Sequence, residues 1–324
     1  MNEAAEFRHF KYLLAVAEHK GFRAAAEHLN TSQPSLSKQA KEFQEAFQIE
    51  LFQKTKSGRI RLTQAGTAFI PIARDLLEAR DEAIAALISI HRNETSVLRL
   101  GCSSFVDPEL CRATCELHKQ LAPSCAIHPS HGSTAHLLDE LTQDKIDAAI
   151  LTLPVGDTRF RVEDIKRDRL VVCLPENHPL ASKAALTPID LEKNLTIFRH
   201  PMQHQAAHTR LLELLAEMGI ESEERSHTSH PHETQALVKN GYGFALIREG
   251  TLLESGLTTR PIIGADWTVD TAMVFKRDTK LKTLPIIVRN LRRKYTSVAN
   301  SEVPKKAPSG MKVLDTPSQE SLFA

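Results

Sequence analysis

The sequence of 324 residues lacks surplus charge, long apolar runs and paired cysteine spacing. Its 41 Lys and Arg residues against 40 Asp and Glu give a net charge of +1. This balance excludes a uniformly basic nucleic-acid coat protein, although a local basic face is still compatible with it. No stretch approaches the roughly 18 apolar residues of a membrane span, so no membrane partner is expected. The five cysteines are odd in number and indicate no disulfide framework.

The start of the chain also lacks the features of a secretory signal. Met1–Glu6 is acidic and contains no apolar run, so a cytoplasmic location is expected. Hydrophobic residues make up 41% and charged residues 25% of the chain, which is typical of a soluble globular protein. A chain of this length is expected to form two or three compact units.

Four zones follow one another along the sequence. We predict a helical unit over residues 1–62, a long linker helix over 63–92 and a two-lobed α/β domain over 96–298. The last zone, residues 301–324, is rich in Pro, Ser and Lys and lacks periodicity, which predicts a disordered tail.

Three short helices and a hairpin are predicted in the first zone. Apolar residues recur at helical spacing from Phe7 to Ala17, from Phe22 to Leu29 and from Leu36 to Phe47. The polar segment 30–32 separates the second helix from the third and offers N-cap side chains. Ser57–Gly58, between short β-type flanks, predicts a hairpin or wing.

The linker helix carries an apolar stripe with alternating steps of three and four residues. A lone helix cannot leave such a stripe in water, so the pattern predicts a coiled-coil partner, most simply a second copy of the chain. The seam is predicted at Phe69, Ile72, Leu76, Ala83 and Leu87.

The third zone alternates strands and helices, beginning with a strand over 97–102 and a helix over 109–121. Such alternation predicts parallel sheets with helices on both faces. In sheets of this kind, ligands bind outside the carboxyl ends of the strands.

The helices at 22–29 and 33–47, with a polar turn between them, form a helix-turn-helix arrangement. The second helix of such a pair fits the major groove and offers side chains to base edges. Pairs of amphipathic helices also occur in proteins that never touch DNA, so the arrangement alone leaves both interpretations open.

The details of the sequence favour the first interpretation. The segment Phe22–Gln39 closely resembles the N-terminal signature of LysR-type transcriptional regulators. Leu51–Phe52 and Leu62–Gly66 also match that family, as do Asn177–Ala181 and Gly241–Leu246. The matches span nearly the whole chain except the tail, and the N-terminal match is the specific one.

Two departures from the family pattern stand out. The third helix has Phe43–Gln44 where the family usually shows Leu-Glu, and an apolar Phe43 can still fill the core. Arg248 stands where a proline is usual, next to the wall of the expected ligand pocket.

The resemblance implies an N-terminal winged helix-turn-helix, a linker helix and a two-subdomain α/β effector domain like a periplasmic binding protein. It implies a homodimeric or homotetrameric transcription factor that binds an interrupted inverted repeat in double-stranded promoter DNA and responds to a small molecule. No cofactor is implied. The family's DNA-facing positions correspond here to Thr31, Ser32, Gln33, Ser35, Ser37, Lys38 and, on the wing, Arg59.

These positions suit different contacts. The amide of Gln33 fits a base edge, whereas Lys38 and the wing cations suit phosphates, which position a protein without specifying sequence. Residues 33–61 hold six Lys or Arg against three Glu, so this face is locally positive. The alternative is that Thr31 and Ser32 only cap the helix and that the lysines are solvated.

In the family, the effector lies between the two subdomains, which crossing strands join. The corresponding residues here are Ser103, Ser104, Ser133, Thr134, Thr152, Phe198, Arg199 and His200. Hydroxyls and free N–H groups at helix starts suit a carboxylate or another anion, although the same residue types serve as ordinary N-caps.

Histidine and cysteine spacing raises two further possibilities. His200, His204 and His208 are four residues apart and His227, His230 and His232 cluster, but Pro201 interrupts a helix from His200. We favour solvated or gating histidines over metal ligands, with pH sensitivity as a further option. Cys111 and Cys115 lie one helical turn apart, and buried apolar use is the favoured interpretation.

The sequence favours neither an enzyme nor a periplasmic solute-binding protein. An enzyme on the α/β part would need a catalytic motif, and no Gly-rich phosphate loop, zinc motif or nucleophile elbow is visible. A periplasmic solute-binding protein would share the two-lobed half, but the N-terminal motif and the absence of a signal sequence oppose it.

Overall fold

The computed structural model describes residues 5–54, 60–94, 96–221 and 223–301. The helices of this part of the chain are α1 (Phe7–Glu18), α2 (Phe22–His28), α3 (Gln33–Phe47), α4 (Gln64–His91), α5 (Pro108–Leu121), α6 (Thr134–Thr142), α7 (Pro188–Asn194), α8 (Gln205–Glu217), α9 (Pro231–Lys239) and α10 (Leu284–Ser301). The strands are β1 (Phe52–Lys54), β2 (Ile60–Leu62), β3 (Val97–Ser103), β4 (Ala126–Gly132), β5 (Ala148–Thr152), β6 (Phe160–Pro175), β7 (Leu195–Arg199), β8 (Ser226–Thr228), β9 (Phe244–Arg248), β10 (Leu257–Arg260) and β11 (Thr268–Lys276).

The three predicted helices of the first zone pack around one apolar core. Leu13 of α1, Leu36 and Phe43 of α3 and Leu51 are all buried. The ring of Phe43 meets Phe10 edge-on, with centroids 5.6 Å apart. A larger side chain than the family's usual leucine therefore fits this core, as the sequence predicted.

A two-stranded antiparallel wing follows the third helix. β1 pairs with β2 so that Phe52 lies opposite Leu62 and Lys54 opposite Ile60. Gln44, the other departure from the family pattern, ties α3 to the wing, since its Oε1 accepts hydrogen bonds from the N–H groups of Leu51 (2.7 Å) and Phe52 (3.3 Å). The tip of the wing, with Arg59, lies outside the described residues.

The predicted linker helix is one continuous helix, α4, of 28 residues. Thr63 caps it as predicted, because the Thr63 hydroxyl accepts a hydrogen bond from the N–H of Gly66 at 2.9 Å. The placement of Phe69 at the start of the seam is wrong: this ring is 7% exposed and stacks on Phe10 of the same chain at 5.7 Å. The reason is that α1 packs across the N-terminal part of α4, where Arg74 also binds Glu18.

The rest of the apolar stripe on α4 is exposed or half-buried in the single chain. Ile72 is 60% exposed and Leu87 is 67% exposed, and Ile84 and Ile88 are exposed beside them. Leu76 and Ala83 are half-buried. The coiled-coil seam remains a prediction over these positions.

The α/β domain is built on one mixed sheet of nine strands in the order β4-β3-β5-β11-β6-β9-β7-β8, with β10 paired to β6. The predicted parallel arrangement holds within each lobe, where β3 lies parallel to β4 and β5, and β7 lies parallel to β8 and β9. It is wrong at the centre, because β11 and β6 pair antiparallel to each other and to their other neighbours. The 16-residue β6 passes from one lobe into the other.

Each lobe has its own core. The first lobe buries Leu98, Leu110 and Phe275 beneath α5 and α10, and the second buries Leu174, Leu191 and Phe244 beneath α7 and α8. The sequence patterns did not predict the first half of β6 or the elements α7, β7, β8 and β10. Apart from Ser301, the predicted disordered tail lies outside the described residues.

Candidate DNA-binding and ligand-binding sites

The start of α3 presents a polar surface over the core of the helical unit. Asn30 turns the chain with a φ of +49°, and the Ser32 hydroxyl accepts a hydrogen bond from the N–H of Ser35 at 3.3 Å. Ser32 therefore acts as the N-cap, which is one of the two roles expected for it. Gln33 and Lys38 are exposed, and Thr31, Ser35 and Ser37 are half-buried beside them.

The lysines of α3 stand on the solvent side with acidic neighbours one turn away. The Lys38 Nζ lies 3.7 Å from Glu42, and the Lys41 Nζ lies 3.5 Å from Glu45. Exposed pairs of this kind contribute little to stability, so both ammonium groups can exchange a carboxylate for a phosphate at small cost.

A cavity of about 630 Å³ lies between the two lobes of the sheet. The first lobe contributes the segment from Cys102 to Pro108 that joins β3 to α5, and the second contributes β9 and the start of α9. The opening therefore lies beyond the ends of β3 and β7, where a sheet of this type binds ligands.

The structure brings together part of the predicted effector set. Ser103, Ser104 and Arg199 line the large cavity. Thr152, Phe198 and Arg199 line a neighbouring cavity of about 140 Å³. Arg199 therefore borders both spaces.

The remaining three predicted residues line neither cavity. The Ser133 hydroxyl caps α6 by accepting from the N–H of His136 at 3.1 Å, and buried Thr134 donates to Ser103 at 3.5 Å. His200 Nδ1 accepts from the N–H of Met202 at 3.2 Å in a short 3-10 turn. Ser133 and His200 thus play the capping role that was the alternative for these residue types.

Arg199 differs from the other charged residues of the cavity in its surroundings. Its guanidinium carbon lies 3.7 Å from the centroid of the Phe105 ring, and its Nη1 donates to the Thr152 hydroxyl at 3.2 Å. Burial lowers the pKa of Arg199 to about 10, so the group remains charged at neutral pH. No described carboxylate lies within ion-pair distance of it.

A second arginine in the cavity wall is neutralised. Arg248 Nη1 lies 3.3 Å from Asp107 Oδ2 and 4.0 Å from Asp168, while Lys166 Nζ lies 3.1 Å from Asp107 and 3.0 Å from Asp168. Burial alone would raise the pKa of Asp107, but the charge of Arg248 and the Lys166 hydrogen bond lower it below its usual value. The four side chains balance two positive charges against two negative ones.

This ionic quartet, Asp107–Lys166–Asp168–Arg248, was missed from the sequence. Asp107 caps α5 of the first lobe, Arg248 ends β9 of the second, and Lys166 and Asp168 lie on the crossing strand β6. The only signal was the unusual arginine at 248, and the sequence could not show that its partner lies 141 residues earlier.

The histidines divide between several structural roles. Buried His204 contacts the Thr152 carbonyl through Nε2 at 2.8 Å, and its Nδ1 accepts from the N–H of Ala207. His208 and His227 both lie beside Glu224. Within the described ranges, no group of three or more His, Cys, Asp or Glu is placed to hold a metal ion.

Cys111 and Cys115, near the cavity, have raised pKa values and stay protonated at neutral pH. A hydrogen bond with Cys102 raises the pKa of Cys111 to about 12, and the neighbouring Cys111 raises that of Cys115. Thiols with raised pKa values are poor nucleophiles and fit the expected apolar use.

Within the part of the chain that the structure describes, no helix combines the length and apolar character needed to cross a bilayer.

Two family models match the chain, and their limits follow the architecture. Residues 7–67 match the bacterial regulatory helix-turn-helix protein of the lysR family. Residues 91–285 match the LysR substrate binding domain. The chain therefore belongs to the LysR family of helix-turn-helix transcriptional regulators, which combine a DNA-binding domain with an effector-binding domain.

Individual relatives agree with this assignment. The regulator AlsR of Bacillus subtilis is 32% identical over 186 residues, which cover 57% of this chain and 61% of AlsR. BudR of Raoultella terrigena is 25% identical over 283 residues, which cover 86% of this chain and 97% of BudR. The crystal structure of full-length CbnR complexed with its target DNA is 20% identical, with a TM-score of 0.53 over 90% of this chain and all of CbnR, and shows a shared fold.

Proposed function

We propose that this chain regulates transcription by inserting α3 into the major groove of an inverted-repeat promoter site, under the control of a small anionic molecule bound between the lobes. The observation that carries the proposal is that one chain joins an exposed polar α3 surface to a 630 Å³ cavity lined by Arg199, a cation with no carboxylate partner among the described residues. The family assignment supports both halves.

The DNA-binding half depends on the polar surface at the start of α3. Gln33 projects from the first turn, where an amide can form a bidentate contact with adenine. Lys38 lies about one turn further on, where an ammonium group meets a phosphate. Thr31, Ser35, Ser37 and, on the wing, Arg59 complete the proposed contact set, with Ser32 holding the first turn of the helix.

Gln33→Ala and Lys38→Ala are expected to weaken DNA binding in different ways. Loss of the amide should reduce the preference for the protein's own upstream region over random duplex by about tenfold, since a bidentate base contact discriminates by roughly 1–3 kcal/mol. Loss of the ammonium should weaken binding to both duplexes alike and reduce the salt slope by about one. Gel-shift titrations at four salt concentrations measure both quantities.

The matched control is Lys20→Ala. Lys20 lies before α2 in the same helical unit, outside the proposed contact set, and an alanine there should leave both binding constants unchanged. Equal losses on specific and random DNA for Gln33→Ala and Lys38→Ala would contradict the division of roles.

We further propose that the chain catalyses no reaction. Nucleophilic catalysis needs a hydroxyl or thiol paired with a base such as histidine. Among the described residues that line the cavity, the hydroxyls of Ser103, Thr234 and Thr251 bond to other hydroxyls or to backbone carbonyls. Turnover of a metabolite in the cavity would favour an enzyme instead.

The assembly and its location are also proposals. The exposed apolar face of α4 supports a homodimer, and a tetramer follows from the family's usual state. Promoter DNA as the partner supports a cytoplasmic site of action. The domain limits that we propose are 1–62, 63–92 and 96–298, with 301–324 as a tail.

A further inference from the structure

We infer that the ligand of the large cavity carries a single negative charge on an apolar body, with its anionic group held by Arg199 and a second anionic group disfavoured. This inference rests on the proposed function, since it names the chemical class of the effector. The charge balance of the cavity wall supports it.

Arg199 has most of its hydrogen-bonding capacity unused. A guanidinium offers five N–H donors, and the described contacts of Arg199 use one of them, on the Thr152 hydroxyl. The Phe105 ring covers one face of the guanidinium plane, which leaves its edge as the route to a ligand. A half-buried cation with no carboxylate partner among the described residues is costly, and a ligand anion would relieve that cost through charge-assisted hydrogen bonds.

The other charges of the wall cancel. The Asp, Glu, Lys and Arg residues that line the cavity are Asp107, Arg199 and Arg248. The lining also includes three histidines, which the balance counts as neutral: His131, His230 and His232. Asp107 and Arg248 belong to the ionic quartet, whose members Lys166 and Asp168 lie behind them on β6. Because the quartet sums to zero, one positive charge remains, and it belongs to Arg199.

Apolar side chains form much of the remaining wall. Phe105, Val106, Leu170, Leu246 and Leu252 line the same space. Burying an apolar body against them would remove apolar surface from water, which favours binding. The cavity therefore matches a molecule that is charged at one end and apolar elsewhere.

A ligand with two negative charges would meet no second arginine or lysine that lacks a carboxylate partner among the described lining residues. Arg248 could serve a second carboxylate only by leaving Asp107, and Asp107 is the contact through which Arg248 joins the two lobes. Breaking this largely buried pair would leave an uncompensated charge on each partner, which is strongly unfavourable. The quartet should thus discriminate against dianions.

Two series of probes, each matched in shape, test the charge preference. The first is phenylacetate, 2-phenylethanol, 2-phenylethylamine and the dianion homophthalate; the second is hexanoate, 1-hexanol, hexylamine and the dianion adipate. Isothermal titration with the full-length protein should show that in each series the monocarboxylate binds at least tenfold more tightly than the other three. Equal or tighter binding of an alcohol, amine or dianion in both series, or no binding of either monocarboxylate at 10 mM, would overturn the inference.

Variants of Arg199 test the anchor. Arg199→Gln should weaken the monocarboxylates at least tenfold and leave the alcohols unchanged, whereas Arg199→Lys should retain part of the affinity. The control is Arg167→Gln, which removes an exposed arginine paired with Asp270 and should change neither. Unaltered monocarboxylate binding by Arg199→Gln would show that another residue binds the carboxylate and would contradict the proposal.

Asp107→Asn is expected to strengthen the binding of dianions, a result that a misfolded protein could not give. Asparagine can still cap α5, but without the carboxylate Arg248 loses its 3.3 Å partner and the wall gains one positive charge. Homophthalate and adipate should therefore bind at least tenfold more tightly to this variant than to the native protein. Unchanged or weaker dianion binding by a folded Asp107→Asn protein would refute the role of the quartet.

The inference and the proposed function fail in distinguishable ways. If the protein shifts its own upstream DNA and a neutral compound displaces that complex, the regulator stands and the monoanion inference falls. If it fails to discriminate its upstream DNA from random duplex while monocarboxylates bind through Arg199, the ligand inference stands and the proposed function falls.

Discussion

Leu87→Asp is expected to convert the proposed homodimer into a monomer. Leu87 is 67% exposed in the single chain and lies beside Ile84 and Ile88 on the C-terminal half of α4. A carboxylate at the centre of a packed apolar seam would be desolvated without a partner, which costs more than the seam can supply. Sedimentation velocity at micromolar protein should give the mass of one chain, 36.1 kDa.

Leu87→Met is the matched control, because it keeps an apolar side chain of similar volume and should leave the mass unchanged. DNA binding offers a second measurement. An inverted repeat needs two α3 helices at a fixed separation, so the Leu87→Asp protein should lose most of its affinity for the full site. A dimer of unaltered mass in this variant would contradict the seam on α4.

Gly66→Ala is expected to destabilise the helical unit by about 3 kcal/mol, the upper range for overpacking a filled core. Gly66 is buried in the first turn of α4, and a Cβ there would lie 2.1 Å from the Leu51 carbonyl oxygen and 3.0 Å from a Leu62 methyl group. That carbonyl cannot easily withdraw, because it accepts a hydrogen bond from the N–H of Thr63 at 3.0 Å. Hydrogen exchange of the α3 amides in the full chain should show the loss of protection.

Gly156→Ala is the control for this substitution. A Cβ at Gly156 would meet nothing within 4 Å, so the same change of residue should leave exchange in α3 unaltered. Gly66→Ala should also weaken DNA binding, because α4 and the wing can no longer pack as closely. Native protection of α3 in the Gly66→Ala protein would show that the first turn of α4 can move away from the wing at little cost.

The helical unit was predictable because its signals are local. The turn at 30–32, the cap at Thr63 and the spacing of apolar residues each act within a few positions of the chain, and the structure shows all three. Phe69 shows the limit of that reasoning. A stripe on a helix indicates that something covers it, but the sequence could not show that α1 covers one end and leaves the other exposed.

The ligand site was less predictable because its charges come from distant parts of the chain. Asp107 and Arg248 belong to different lobes, and their pairing depends on how β6 and β11 set the two lobes beside each other. Arg199 was among the predicted residues. The sequence could not show that no described carboxylate pairs with it, which leaves its charge available to a ligand. Only the three-dimensional arrangement of charges reveals which of the two arginines has no carboxylate partner among the described residues.

The crossing strand β6 contacts both the linker helix α4 and the wall of the cavity. At its start, Arg161 binds Glu78 and Glu82 of α4, and further along Lys166 joins the quartet in the wall of the cavity. A ligand that displaced β6 would therefore also displace the surface on which α4 rests. The angle between the two DNA-binding domains of a dimer would then depend on whether a ligand occupies the cavity.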